Sequence, residues 1–427
     1  MADTNPRMTA ARPAEFDPSQ NPPKRRRLRV LYVATHPIQY GVPNFRLMAS
    51  DPRLEFSVAY CCLQGAESAV DRDFGVEVKW DVPLLDGYPW THIPNRSLRP
   101  RLGAFFGLVN TGLWKLVRGG KYDAVITAIG YNHLSYWILL AAAKTSGTPL
   151  MFVTDTSSVR PFDPKKWKSI LKPLVAPTFF RLNTIIATGS MAGYELFRSM
   201  GFPKERIAFA PFGVDNDWWT REASKANRSA TREAWGVSEQ SPVILFCAKL
   251  QSRKRPLDLL RAFAQCGVAD SHLVFAGDGP LAGQLNREAT QLGVRERVHF
   301  LGFQNQSQMP GNYCAADLFV LPSDYDPCPV VVCEAMLCGL PVVLSDEARG
   351  RVELIANGET GSVFHCGDVA ALAEILRTAL LDRSRLALMG AAARGRMQTW
   401  SPREHVEGII QGLARVIRNS RPAGPGA

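Results

Sequence analysis

The stretch from Leu321 to Ser345, LPSDYDPCPVVVCEAMLCGLPVVLS, reads as a strand end, a polar loop, a helix, a turn and a second strand. A helix crossing between two apolar strand-like runs is a βαβ unit, which is right-handed and joins parallel strands. Pro329 suits the start of the helix because it has no amide hydrogen to leave unsatisfied there. The amides of Val330 and Val331 then point out of the helix, with the positive end of its dipole behind them. Such an end is a seat for a phosphate. Asp326 precedes it, and Glu334, eight residues later, lies about one turn inside. One carboxylate is thus placed for hydroxyls beyond a phosphate and the other for a ribose on the near side.

The same rhythm extends on both sides. In the second half strands are expected at 243–247, 273–276, 298–301, 318–321 and 341–344, with helices at 256–265, 281–292, 330–338 and 369–380. The first half alternates strands at 28–35, 54–60, 122–128, 149–154 and 183–187 with helices at 42–49, 133–145 and 190–200. Strands alternating with helices imply an α/β fold with parallel sheets. Two such runs in series make two Rossmann-like domains facing each other across a cleft, where open sheets of this kind bind ligands. Between them, residues 211–241 are polar and loop-like, with Trp218 and Trp219 as a packing anchor. The expected division is a flexible basic arm at 1–27, an acceptor domain at 28–210 and a donor domain at 211–400. A helix at 401–418 returns towards the first domain, and 419–427 form a flexible tail.

A second chemical constellation lies in FCAKLQSRKRPLDLL. The strand ending at Ala248 delivers Lys249 to the carboxyl edge, and the following loop delivers Lys254. Cleaving a glycosyl phosphate leaves a nucleoside diphosphate whose growing charge two cations neutralise without a metal. The alternative is that Arg253, Lys254 and Arg255 form a solvated basic turn. In FAGDGPL, Gly277 and Gly279 follow a strand and precede a helix, where small residues let a backbone approach a ligand; a tight turn is the plainer explanation. Gly339 caps the Glu334 helix.

The chain totals narrow the setting. With 427 residues, 46% of them apolar, the chain fills more than one core. Of nine cysteines, Cys61 and Cys62 are adjacent, while Cys247, Cys314, Cys333 and Cys338 sit in apolar runs. Those four read as small hydrophobes kept reduced. No run approaches the ~20 apolar residues of a membrane span, and the Pro- and Arg-rich start through Arg27 lacks the apolar core of a secretory signal. The net charge of +11 lies wholly in the first half: residues 1–211 hold 27 Lys and Arg against 16 Asp and Glu, and residues 212–427 hold 23 of each. That half should meet something anionic. No aromatic-basic motif points to nucleic acid, so an anionic membrane surface or an anionic acceptor fits better. A cytoplasmic location, peripheral to the inner face of a membrane, is expected.

The block LPSDYDPCPVVVCEAMLCGLPVVLSD, then ELIANGETGSVF and GDVAALAEIL, closely resembles the C-terminal half of retaining glycosyltransferases of the GT-B fold, family-4 type. Those carry Glu-x7-Glu at this point, and here the pair is Asp326 and Glu334. KLQSRKRPLDLLRAF looks like the family's cationic phosphate clamp, with Lys249 where Arg is commoner and Lys254 on the usual Lys. FAGDGPL and HFLGF…MPGNYCAADLFVLPS fall in the expected order, so the resemblance covers essentially residues 205–418. It implies that Glu334 binds the donor ribose, that Asp326 touches the transferred sugar, and that Pro327, Cys328, Pro329, Val330 and Val331 cradle the distal phosphate and sugar. It also implies retention of configuration, with the donor phosphate helping to deprotonate the acceptor. Asp for Glu shortens the first carboxylate by one methylene, and Lys249 is a point charge rather than a bidentate fork.

The first half resembles the family more weakly. THPIQYGVP follows the first strand and puts His36, Gln39, Tyr40 and Gly41 beside the cleft. His133, in GYNHLSY, matches loosely the family's active-site His, or is an ordinary loop histidine. Asp155, in FVTDTSS, ends a strand and faces the acceptor or caps the following turn. Residues 99–118 and 165–181 are basic and apolar; each lies on a membrane as an amphipathic helix or faces the core with a basic outer side. Together with the charge asymmetry they suggest weak contact with an anionic membrane through the first domain. The partners expected are thus a nucleotide-diphosphate sugar as co-substrate and a glycan or lipid-linked acceptor, with no nucleic acid, no cofactor and no metal. The strings Asp71-Arg72-Asp73 and Asp324-Tyr325-Asp326 match the Asp-x-Asp of metal-dependent transferases, but pairs so spaced arise often by chance. Competing readings on the same fold are a nucleotide-sugar epimerase, a sugar phosphorylase or a non-catalytic nucleotide-sugar-binding scaffold.

Overall fold

The computed structural model describes residues 26–67, 69–71, 76–78, 80–159, 175–349 and 352–420. The expected arm up to residue 25, the helix stretch 165–174, part of the string at 71–73 and the tail from 421 lie outside the described residues. Arg26 and Arg27 are tied down: Arg26 pairs with Asp123 at 3.1 Å and Arg27 donates to the Leu54 carbonyl at 2.7 Å.

The first sheet has seven parallel strands: β1 (Leu28–Ala34), β2 (Leu54–Tyr60), β5 (Trp90–His92), β6 (Ala124–Thr127), β7 (Leu150–Thr154), β8 (Ile185–Thr188) and β9 (Ile207–Phe209). Their order is β5-β2-β1-β6-β7-β8-β9, and β3 (Ala69–Asp71) and β4 (Val76–Val78) form a separate antiparallel ribbon. The central strands β6, β7 and β8 are buried throughout, as a parallel sheet covered by helices requires, whereas the edge strand β5 is exposed. Val30, Val58 and Ile126 pack into one layer, Leu31, Val125 and Ile186 into the other.

The second sheet comprises β10 (Val243–Cys247), β11 (His272–Ala276), β12 (Val298–Gly302), β13 (Leu318–Leu321), β14 (Val342–Ser345) and β15 (Gly361–Phe364), all parallel. It runs β12-β11-β10-β13-β14-β15, the doubly wound Rossmann order. Two Rossmann-like α/β domains, facing each other across a cleft, are therefore present. One expectation needs correcting: residues 211–241 are not loop-like but hold two helices, Asn216–Lys225 and Arg228–Trp235. Asp215 and Asn227 cap them by accepting from the amides of Trp218 and Ala230, both at 3.0 Å. Their apolar stripe is thin because Arg232, 1% exposed, takes a core position, where it pairs with Asp317 at 2.7 Å.

The chain crosses between the domains at 210–213 and again at 400–401. The last helix, Pro402–Ser420, lies against the first domain, where Val406, Ile409, Ile410 and Leu413 join the core. Gly408 and Gly412 give it room to lie flush: a side chain on Gly408 would collide with the Phe209 carbonyl, and one on Gly412 with Ala208. Gly395, in the helix Arg383–Arg396, faces open space. Gly408→Ala should therefore cost about 1–3 kcal/mol by overpacking, while Gly395→Ala should gain up to about 1 kcal/mol of helix propensity. Thermal melts of the two variants check this; a Gly408→Ala protein as stable as the Gly395→Ala one would show that the last helix is loosely seated.

Candidate functional site

In the second sheet the strand order reverses between β10 and β13, so the loops after these two strands meet at the carboxyl edge. The Asp324 amide donates to the Arg253 carbonyl at 3.0 Å, and the Arg253 guanidinium donates to the Tyr325 carbonyl at 3.1 Å. Lys254 forms an ion pair with Asp326, with both side chains largely buried. The helix Val330–Leu337 starts at this junction, behind Pro329, with no side chain capping its amino end. Its first amides and its dipole therefore face the gap between the domains.

A cavity of about 460 Å³ occupies that gap. From the second domain it is lined by Lys249, Lys254, Gly277, Asp326, Cys328, Pro329, Val330, Val331 and Glu334; from the first, by His36, Gln39 and Tyr40. The acidic pair, both lysines and the helix start thus share one space. Glu334 is buried, with the Tyr313 hydroxyl donating to its carboxylate at 2.8 Å. Burial pushes its pKa up to about 7, against the opposing pull of that hydrogen bond. Beside it, burial raises the Tyr40 hydroxyl well above its ordinary value, and pushes the Cys247 thiol up to about 12. His36, whose Nδ1 lies 2.9 Å from the Thr35 hydroxyl, is lowered to about 4 by burial and then by His133, so it is neutral near pH 7.

Five expected residues lie outside this lining. Gly41 and Asp155 line a second cavity, about 530 Å³, on the first-domain side. It shares Ile38, Tyr40, Cys328 and Val330 with the first cavity, and Phe45, Phe152 and Phe212 give it aromatic walls. His133 is 5% exposed, and its Nδ1 lies 3.2 Å from the Ala104 carbonyl, so its ring serves the neighbouring loop; it reaches the cavity only through its effect on His36. Pro327 lies in the loop without reaching the lining. For the glycines the reason is backbone against backbone. Gly277 and Gly279, at φ 141° and 155°, run so close to the loop after β10 that side chains would strike the carbonyls of Ala248 and Leu250. Gly277 still borders the cavity, but Gly279 only fixes the lysine loop.

Other residues of the site were not singled out in the sequence: Trp80, Phe303, Gln304, Gln306 and Met309, which line the cavity, and Tyr313, which stands behind Glu334 and donates to it. Tyr313 stands inside the MPGNYCAADLFVLPS block, so its motif was visible although its contact was not. Trp80 and Phe303 come from different domains, with ring centroids 6.1 Å apart, and no local pattern joins them. Gln306 holds a buried carbonyl oxygen with no hydrogen-bond partner among the described residues. Among the described residues no group of three or more His, Cys, Asp or Glu is placed to hold a metal ion.

Comparisons with known proteins agree with this fold. The family model described as glycosyl transferases group 1 matches residues 227–396. A D-inositol 3-phosphate glycosyltransferase of Xylanimonas cellulosilytica is 30% identical over 319 residues, which is 71% of this chain and 74% of that protein. A GDP-mannose-dependent alpha-(1-6)-phosphatidylinositol monomannoside mannosyltransferase of Mycolicibacterium smegmatis is 32% identical over 207 residues, 46% of this chain and 53% of the relative. Against that relative and two further ones the chain spans about half of their length. Among solved structures, HepE of Anabaena in complex with UDP-glucose superposes with a TM-score of 0.68 at 22% identity, over 91% of this chain and 99% of that one. The likeness shows the fold.

The Glu334 carboxyl supplies a test of its burial. It binds its proton more tightly folded than unfolded, so its contribution to stability is fully present below about 4.5 and is lost as pH rises through about 7. Urea unfolding at about pH 5 and about pH 8 should show wild type losing on the order of 3 kcal/mol more than Glu334→Gln. Parallel pH dependences for the two proteins would mean that the carboxyl is hydrated.

Proposed function

The chain belongs to the group 1 glycosyl transferases, and from that premise we propose that it moves a hexose-type sugar from a nucleotide-diphosphate donor to a glycan or lipid-linked acceptor, with retention of configuration. The observation that carries the reading is the shared cavity: an uncapped helix amino end and two lysines on one wall, with two buried carboxylates beside them. The amides of Val330 and Val331 and the cations of Lys249 and Lys254 suit a pyrophosphate. Glu334, held by Tyr313, accepts ribose hydroxyls; Asp326 accepts hydroxyls of the transferred sugar while sharing Lys254 with the phosphate. When the glycosyl bond breaks, negative charge grows on the leaving diphosphate, and fixed cations in a water-poor cleft stabilise that charge most. The donor phosphate helps to take the acceptor proton, and neutral His36 lines the same space.

The acceptor belongs to the second cavity, beside Gly41 and Asp155. Acceptors that join a polar hydroxyl to a lipid suit its aromatic walls, and the relatives' names include phosphatidylinositol mannosides and an inositol phosphate. Among the described residues no helix is long and apolar enough to cross a membrane. The reading includes weak contact of the first domain with an anionic membrane on its cytoplasmic face. Leu98, Phe105 and Phe106, all exposed, stand among Arg96, Arg99 and Arg101, which is the combination such a surface attracts.

Nucleotide sugars at about 100 times their Kd should stabilise the fold by about 2.7 kcal/mol. A thermal-shift screen with UDP- and GDP-sugars reads this directly, and Glu334→Gln should lose most of the shift; a screen in which no nucleotide moves the melting point would sink the proposal. EDTA should leave transfer unchanged. Lys254→Ala should lower kcat on the order of 100-fold or more with a smaller change in KM, because the cation acts on charge that develops in the transition state. Steady-state kinetics at saturating donor check this, and an unaltered kcat would leave Lys254 only its structural pairing with Asp326.

A further inference from the structure

The Val330–Leu337 helix starts at the phosphate seat, and at its other end lies a separate cavity of about 560 Å³. It shares no lining residue with either cavity of the cleft. Arg228, Arg383 and Arg394 line it, and Asp317 is the one carboxylate in its wall among the described residues. Arg228 and Arg383 both reach the same Asp317 oxygen, Oδ1, at 2.7 and 3.4 Å, while the buried Arg232 takes Oδ2 at 2.7 Å. Glu239 lies 3.8 Å from Arg228. Four guanidiniums thus stand around two carboxylates, and positive charge is left over. Burial first, and then the charges of Arg228 and Arg383, hold the Arg232 guanidinium below its ordinary value against the pull of Asp317.

Hydrogen bonding leaves a surplus of the same sign. A guanidinium offers five N–H donors and no acceptor. Arg228 uses three of its own, on the Cys314 and Ala316 carbonyls and on Asp317. Arg383 uses two, on the Gln240 carbonyl and on Asp317, and Arg394 uses one, on the Cys338 carbonyl at 3.4 Å. More than half of the donors on these three side chains are therefore unused among the described residues. The carbonyl partners are neutral and remove no charge. Asp317 also accepts from the Val243 amide at 2.8 Å, so it has no acceptor position to spare.

We propose that this cavity binds a phosphate-bearing small molecule through Arg228, Arg383 and Arg394. A phosphate supplies what the wall lacks: negative charge, and several acceptor oxygens for forked N–H donors. Leu340, Pro341, Ala387 and Ala391 add an apolar floor, which suits a body attached to the phosphate. The bound group ties the helix Arg228–Trp235 to the helix Arg383–Arg396, beside the turn that ends the Glu334 helix. The site stands on its own residues and does not depend on the transfer reaction.

Thermal melts of the full-length protein test it, with inorganic phosphate and glucose 6-phosphate set against sodium chloride of equal ionic strength. Phosphate should raise the melting temperature where chloride does not, and Arg383→Gln and Arg394→Gln should each lose at least half of that shift. Ala387→Glu places a carboxylate among the guanidiniums without removing any of their contacts. It should abolish the shift in a protein that melts no lower than wild type. The donor seat also suits phosphate, so the series is repeated in Lys254→Ala, where the shift should survive. A shift that vanishes there would put the phosphate in the cleft and overturn the site. So would a shift matched by chloride, or one that stays whole in Arg394→Gln and Ala387→Glu. Tighter binding of glucose 6-phosphate than of the free ion would assign the site to a phosphorylated metabolite, and equal binding to phosphate itself. Glucose alone should give no shift, and a response to it would overturn the anion reading.

Discussion

The site depends on one reversal of chain order. In the second sheet the strand order reverses between β10 and β13, so their crossovers leave towards opposite faces and open a crevice at the two strand ends. The loops after these strands must satisfy their own backbone groups, and they do so against each other, through Asp324 to Arg253 and Arg253 to Tyr325. That pairing fixes where Lys254 and Asp326 can point. Gly277 and Gly279 hold the lysine loop from below, because only residues without a side chain let the two backbones lie so close. The helix start at Val330 then faces a gap already furnished with charge.

Buried charge is handled in two ways within the same domain. Asp317 accepts from Arg228 and Arg232 at 2.7 Å, from the Val243 amide at 2.8 Å and from Arg383 at 3.4 Å. A carboxylate offers about four acceptor positions, so this one is saturated and serves the fold. Glu334 is more deeply buried, the Tyr313 hydroxyl donates to it at 2.8 Å, and burial drives its pKa upward instead. A carboxyl held near neutrality by desolvation strengthens its hold when hydroxyls approach it in a low-dielectric space. The saturated group serves the fold, and the under-satisfied one keeps acceptor capacity for a ligand in the cavity it lines.

This contrast also explains what the sequence made legible. The Leu321–Ser345 stretch holds a strand, a loop, a helix and both carboxylates within one βαβ unit, so periodicity and capping made the helix start and the carboxylates that line the first cavity legible. The lysines follow a strand by the same local logic. The helices at 216–235 escaped that logic because Arg232 owes its core position to Asp317, 85 residues away. The glycines were recognisable as a tight passage, yet the partner they make room for is the neighbouring loop. On the first-domain side the reading was poorer. The His133 ring answers to a carbonyl 29 residues earlier, and the aromatic walls of the second cavity come from segments between Phe45 and Phe212. Tertiary contact decides such residues, and no window of the sequence contains it.

The two halves of the cleft are joined unequally. On one side the chain crosses twice, and the crossings lie against each other. The Trp400 indole donates to the Phe212 carbonyl at 3.2 Å, Asn216 to the Met397 carbonyl at 2.9 Å, and the buried, neutral His405 lies 3.2 Å from the Ala210 carbonyl. Separating these groups would expose Trp400 and leave buried polar atoms unpaired, at a cost of about 1–3 kcal/mol for each such atom. On the opposite rim the domains meet through Asp81 with Ser307 and through Trp80 with Phe303. Exposed polar contacts of that kind are each worth about 1 kcal/mol or less. The paired crossings are therefore the stronger of these joints, and the lysine loop, the carboxylates and the helix start are fixed relative to one another because all of them belong to one sheet edge.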